Sequence, residues 1–214
     1  MQPFVIGIAG GSCSGKTRLA DSIVAGLEGG EAVVVPVDAY YFDLSHLPPA
    51  ERAAHNFDNP DSIDFELLTD HLKLLRDGED VLVPVYDYIT HTRASRETWV
   101  KRRLSAAAGM RPVVIVEGLH ALHSGDVRAL MDLTVFVDCD PGTCLARRIE
   151  RDVRERGRTR ESVLDQWKRT VVPMYRMYVE PARKLAGLVT DGSRPIDESA
   201  QDVFKVLLPL LRLL

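Results

Sequence analysis

The sequence predicts an α/β fold, a doubly wound parallel sheet of about five strands with helices on both faces. Three observations carry that reading. Apolar runs of strand length alternate with amphipathic, helix-length segments along the chain. The run Val113-Val114-Ile115-Val116 is continuously apolar, as a parallel strand covered on both faces should be. The first apolar run leads directly into Gly10-Gly11-Ser12-Cys13-Ser14-Gly15-Lys16-Thr17, which is G-x-x-x-x-G-K-[ST], and a helical segment follows.

The elements follow in order. The first strand covers 4–9, and the first helix runs from Lys16 to near Leu27, before Gly29-Gly30. The second strand covers Ala32 to Val37. A polar, proline-containing stretch from Asp38 to Asp61 is too long for a simple connection, and such loops are usually functional. A second helix spans Asp64 to Arg76 and stops at Asp77-Gly78. An inserted β-hairpin, over 79–101, joins Val81–Tyr88 to Glu97–Val100, with Pro84 suited to an edge strand. Strands at 113–116 and 133–137 follow. Asp140-Pro141 then caps and starts an Arg-rich helix that Gly157 breaks. A further helix from Thr159 to Glu180, bent at Pro173, a short strand over 185–190 and a helix from Asp197 complete the chain. The apolar 206–214 segment reads as a terminal helix docked on the core.

The chain's 214 residues suit one domain over 1–214, with a lid over 148–170. A net charge of −4 argues against nucleic-acid binding. No run of about 18 apolar residues points to a membrane, and the opening residues carry no charged n-region of a signal peptide. The three cysteines, Cys13, Cys139 and Cys144, have no paired spacing, which predicts reduced thiols and a cytoplasmic protein.

A loop of this pattern wraps the phosphates of a nucleoside triphosphate in its backbone N–H groups, and the helix behind it adds partial positive charge. Gly10, Gly11, Ser12, Cys13, Ser14 and Gly15 form that cradle, Lys16 reaches the β- and γ-phosphates, and Thr17 offers its hydroxyl to Mg²⁺. The fold is therefore read as a P-loop NTPase type. Asp38, at the end of the second strand, lies on the same rim, where it suits a proton acceptor or a metal ligand. With an ordinary carboxylate pKa of about 3.9 it is ionised at neutral pH. Glu117 ends the third long strand, where such proteins place a carboxylate for Mg²⁺. The Arg147–Arg158 run reads as a solvated face or as a lid that closes over phosphates at the Gly157 break. Phe57-Asp58 and Tyr86-Asp87-Tyr88 with His91 supply rings and a carboxylate suited to a nucleoside. A guanine-reading Asn-Lys-x-Asp motif is impossible, since Asn56 and Asn59 are the only asparagines.

In order and spacing these segments resemble the uridine–cytidine kinase family, within the phosphoribulokinase/uridine kinase group of P-loop kinases. The resemblance rests on the phosphate loop, Val37-Asp38-Ala39-Tyr40-Tyr41, Phe57-Asp58-Asn59-Pro60-Asp61, Pro84-Val85-Tyr86-Asp87-Tyr88 with His91, Glu117-Gly118, and Arg151-Asp152 with Arg156-Gly157-Arg158. It implies ATP or GTP as phosphoryl donor, Mg²⁺, a uridine or cytidine acceptor and a homo-oligomer, a tetramer in related proteins. It implies Asp38 as the base for the 5′-hydroxyl, with Arg151, Arg156 and Lys16 serving the transferred phosphoryl group and Arg158 the donor. Tyr41, Asp58, Arg148 and Gln166 fall at sugar-site positions, Tyr86, Tyr88 and His91 around the pyrimidine, and Thr17 with Glu117 at the metal. Three segments depart from the family pattern. Glu117-Gly118-Leu119-His120 replaces Glu-Gly-Ile-Leu and matches the form seen in phosphoribulokinases. Phe42 stands at a commonly basic position, and Thr190–Arg194 lacks a Pro-Arg-Gly-Gly pattern. The alternatives are a phosphoribulokinase-like sugar-phosphate kinase and an inactive nucleotide-binding regulator.

Overall fold

The computed structural model describes residues 2–27, 32–104 and 111–211. Its centre is a five-stranded sheet of β1 (Phe4–Gly10), β2 (Ala32–Pro36), β7 (Val113–Glu117), β8 (Leu133–Asp138) and β9 (Leu188–Asp191), in the order β2-β7-β1-β8-β9. Every pairing in it is parallel, with Ile6 opposite Ile115 on one side and Leu133 on the other. All seven residues of β1 are buried, as expected of the central strand of a sheet covered on both sides.

The alternation of β1 sorts its side chains between two cores. Phe4, Ile6 and Ile8 pack with Leu19 and Ile23 of α1 (Lys16–Gly26) and with Val203 and Leu207 of α8 (Ile196–Leu211). Val5 and Ala9 face Leu68, Leu72 and Leu75 of α3 (Phe65–Arg76). Burying each large aliphatic side chain contributes about 1.5–3 kcal/mol. The described part of the apolar C-terminal segment, 206–211, docks as the sequence predicts, with Leu207 and Leu211 buried. Among the described residues no helix is long and apolar enough to cross a membrane.

Several local expectations change. The 38–61 stretch is not a bare loop. It holds a 3₁₀ turn at Val37–Tyr40, the short helix α2 (Pro49–Ala54) and another 3₁₀ turn at Pro60–Ser62. β2 ends at Pro36, so Asp38 sits in the turn rather than on the strand. Asp64 caps α3 rather than opening it, accepting from Leu67 N at 3.0 Å. The predicted hairpin is two antiparallel ribbons in line, β3 (Val81–Val83) with β6 (Val100–Arg102) and β4 (Tyr86–Asp87) with β5 (Thr92–Arg93). Pro84, with no N–H for a ladder, falls between them, and Arg96–Thr98 forms a 3₁₀ turn. A short helix, α4 (Gly125–Ala129), precedes β8 and carried no clear sequence signal.

The Arg-rich helix α5 (Pro141–Arg156) is capped by Asp140, which accepts from Thr143 N at 2.8 Å, and ends at Gly157 with φ +62°. Thr159 caps the next helix, α6 (Arg160–Gln166). The expected bend at Pro173 is spread out instead. π-helical turns at Trp167–Val171 and Tyr175–Val179 flank α7 (Val172–Met174), and the missing N–H of Pro173 falls inside that widened stretch. The final strand begins at Leu188 because Glu180–Leu185 form a 3₁₀ turn. The Gly29-Gly30 stop lies outside the described residues.

Candidate active site

Because β2, β7 and β1 are neighbours, their carboxyl ends bring Asp38, Glu117 and the phosphate loop side by side. This is the rim where open α/β sheets bind ligands. Gly15 holds the position before α1 at φ +108°, a conformation that favours glycine, and frees the helix N-terminus to face the loop. Cys13 also takes a left-handed φ, +60°, which marks strain in the loop that the motif alone does not reveal. Lys16 is buried and its Nζ donates to Gly11 O at 2.8 Å across the loop. Gly10 and Ser14 lie behind the cradle, with Ser14 Oγ buried.

Thr17 Oγ1 donates to Glu117 Oε2 at 3.2 Å. The two oxygens therefore sit together as hard donors of the kind Mg²⁺ prefers. Burial raises the Glu117 carboxyl to about 7; Lys16 opposes the rise and Asp38 adds to it. Asp38 Oδ1 is buried without a partner. Burial raises its pKa too, opposed by Lys16, Arg156 and Arg151, so its ionisation depends on those cations rather than on an ordinary carboxylate value. A Cβ on Gly118 would lie 2.6 Å from Val37 Cβ and 3.6 Å from Asp38 Oδ1. Glycine after Glu117 is what lets the two carboxylate-bearing turns approach this closely.

The arginines converge on one carboxylate. Asp152 is fully buried on α5, with Arg151 Nη2 at 2.8 Å, Arg158 Nη1 at 3.4 Å, Arg148 Nε at 3.6 Å and Arg156 Nε at 3.8 Å. Arg148 Nη1 also donates to Ser12 Oγ at 2.9 Å, which ties the helix to the phosphate loop. Arg156 lies over the Tyr88 ring at 5.4 Å and reaches from the lid to the aromatic side. The Arg run thus lines the cleft through Arg147, Arg148, Arg151, Arg154, Arg156 and Arg158, with Arg154 paired to Glu150 at 3.5 Å. Asp152 was legible only as part of a motif; nothing in the spacing said that it gathers four guanidinium groups.

Across the cleft, Tyr41 packs on Phe57 at 5.2 Å and on Tyr86 at 5.3 Å, and Tyr86 on Tyr88 at 5.5 Å. His91 stacks on Phe57 at 4.8 Å and 19° and sits at φ +55° in the β4–β5 turn. Burial lowers its pKa, which favours a neutral ring able to donate or accept. Asp58 is buried, and its Oδ2 accepts from Thr170 Oγ1 at 3.1 Å. Gln166 lines the same cleft, and its Oε1 accepts from Arg148 Nη2 at 3.0 Å and Arg158 Nη1 at 2.5 Å. It braces the lid arginines. Phe57 lines the cleft too, and Thr170, given no role from sequence, belongs to the site as well.

All these groups except Gly10, Gly11, Ser14 and Asp152 line one open cleft of about 1190 Å³. The cleft has two chemically distinct halves, a cationic phosphate cradle and an aromatic box with one buried carboxylate. Asp38 lies between them.

Residues 5–195 match the family model described as Phosphoribulokinase / Uridine kinase family. A uridine kinase of Staphylococcus epidermidis is 44% identical over 188 residues, 88% of this chain and 87% of that protein. A uridine kinase of Chloroflexus aurantiacus is 40% identical over 190 residues, 89% and 87% of the two chains. The solved phosphoribulokinase from Rhodobacter spheroides has a TM-score of 0.64 at 20% identity, covering 89% of this chain and 70% of that one, a likeness of fold. By sequence match and by fold, the chain belongs to the phosphoribulokinase/uridine kinase family.

Proposed function

We propose that this protein transfers the γ-phosphoryl group of ATP or GTP to the 5′-hydroxyl of uridine or cytidine. The observation that carries the reading is the aromatic box of Tyr41, Phe57, Tyr86, Tyr88 and His91, which shares a cleft with Asp58 and the phosphate loop. Flat aromatic faces suit a base, and a buried carboxylate suits a vicinal diol. The family membership and the uridine kinase relatives support the same conclusion.

Phosphoryl transfer needs alignment and charge neutralisation more than covalent help. Lys16 and the loop N–H groups hold the donor's phosphates. Thr17 and Glu117 are the residues that would hold Mg²⁺, which when bound offsets charge on the donor's terminal phosphates. Asp58 fixes the ribose through its 2′- and 3′-hydroxyls and so sets the 5′-oxygen beside Asp38. Asp38, in the ionised form that Lys16, Arg156 and Arg151 favour against the effect of burial, takes the 5′-hydroxyl proton as that oxygen attacks phosphorus. Arg151 and Arg156 neutralise charge on the moving phosphoryl group, and the nucleoside monophosphate and nucleoside diphosphate leave.

An ADP-release assay over uridine, cytidine, adenosine, deoxyuridine and ribulose 5-phosphate tests the assignment. Turnover with uridine or cytidine, and little with deoxyuridine, is expected. Activity confined to ribulose 5-phosphate would replace it with a sugar-phosphate kinase, and nucleotide binding with no turnover would indicate a regulatory protein.

A further inference from the structure

His120 stands three residues beyond Glu117 and is 1% exposed. Its Nε2 lies 2.9 Å from the main-chain oxygen of Asp58, 62 residues away in sequence. A carbonyl can only accept, so Nε2 carries the proton and the ring is the Nε2–H tautomer. Nδ1 is buried without a partner. His123 at 5.8 Å and Tyr178 at 6.4 Å both meet the ring edge-on and limit its rotation. This buried ring, with one hydrogen bond made and one polar atom unmatched, has no role in the proposed chemistry so far.

The bond reaches the segment that bears the proposed ribose ligand. Two carbonyls of that segment are held from outside it. Phe57 O accepts from Tyr41 Oη at 3.1 Å, and Asp58 O accepts from His120. Tyr41 follows the 3₁₀ turn that carries Asp38, and His120 follows the strand that carries Glu117. The acceptor-binding segment is therefore fixed to the phosphoryl-transfer centre at two points, one from each carboxylate-bearing turn.

We propose that His120 is a positioning residue for the acceptor: it sets the Asp58 carboxylate relative to Glu117 and so determines ribose affinity and selectivity, without touching substrate. This rests on the nucleoside kinase reading above. His120→Leu keeps an apolar filler but leaves the Asp58 carbonyl buried and unpaired, whereas His120→Gln restores a donor.

The test is the KM for uridine, the KM for ATP and the uridine-to-deoxyuridine ratio of kcat/KM in the wild type and both variants. In His120→Leu the uridine KM rises about tenfold, the cost of one orphaned buried carbonyl. Its ribose preference falls, its ATP KM is unchanged, and His120→Gln recovers most of the loss. An unchanged uridine KM and ribose preference in His120→Leu would overturn the proposal, as would equal loss across uridine and ATP. Amide hydrogen exchange separates this from the function itself. If the wild type turns over no nucleoside, the function fails, yet faster exchange confined to residues 55–62 in His120→Leu upholds the positioning role. Unchanged exchange there overturns it.

Discussion

Asp152→Asn removes the one carboxylate shared by four guanidinium groups, and the geometry sets the size of the effect. The contacts run from 2.8 to 3.8 Å around a side chain with no exposed surface. At an effective dielectric of about 20, each such pair attracts by roughly 4–6 kcal/mol. Repulsion among the arginines and the cost of desolvation cancel most of that, and breaking a buried ion pair typically costs about 3–5 kcal/mol. Asparagine keeps the volume and one oxygen, which can still accept from Arg151 Nε, now 2.9 Å from Oδ1. The expected loss is therefore about 3 kcal/mol, or roughly 6–12 °C in Tm for a chain of this size. Because Arg151 and Arg156 lose their common anchor, kcat falls by about ten- to a hundredfold, short of the loss from deleting a charge-stabilising donor outright. The assay is thermal unfolding with and without saturating ATP, plus steady-state kinetics. A bound triphosphate supplies negative charge to the unneutralised arginines, so the Tm deficit should shrink with ATP. A variant that melts within about 2 °C of wild type and turns over normally would refute the reasoning.

Two further outcomes follow from the carboxylates. Asp58→Asn removes a charged acceptor from the proposed ribose site, so the preference for uridine over deoxyuridine falls by about ten- to a hundredfold while the ATP KM stays put; comparing kcat/KM for the two nucleosides checks it, and an undiminished preference would contradict the ribose role. Glu117 holds its proton up to about pH 7 in the folded chain against an ordinary value of 4.5. Between those values the folded state binds a proton that the unfolded state does not, so stability falls as pH rises, by up to about 3 kcal/mol. His120 works in the opposite direction. Burial lowers it to about 4 from 6.5, so its contribution is full above pH 6.5 and is lost as pH falls. The two contributions oppose each other between pH 4.5 and 6.5, and Glu117→Gln separates them. In EDTA this variant should gain Tm over wild type at pH 8 and not at pH 5; an equal difference at both would contradict the assignment.

Much of the site was legible because its signals are local. The phosphate loop, the Asp140-Pro141 cap and the Gly157 stop are each set by a few adjacent residues whose backbone needs are specific. The parallel sheet was legible from continuous apolar runs such as 113–116. Long-range polar pairing was not. That Gln166, expected at the sugar, also braces Arg148 and Arg158 was not visible, because these partners lie 18 and 8 residues away and only the α5–α6 turn brings them together. Asp152 and His120 were missed for the same reason: neither the burial of a carboxylate in an Arg-rich helix nor a contact spanning 62 residues leaves a periodic trace. The hairpin was seen but misread in detail, since Pro84 interrupts the ladder that strand propensity alone would continue.

In the proposed reaction Asp38 takes the proton from a nucleoside 5′-hydroxyl beside a bound triphosphate. The most direct measurement is turnover of uridine or cytidine by Asp38→Asn at saturating substrates, with ATP affinity determined on the same preparation. Loss of a positioned general base predicts a fall in kcat of about 10²–10⁴ with ATP affinity retained. Turnover near the wild-type rate, or loss of ATP binding in step with kcat, would contradict it.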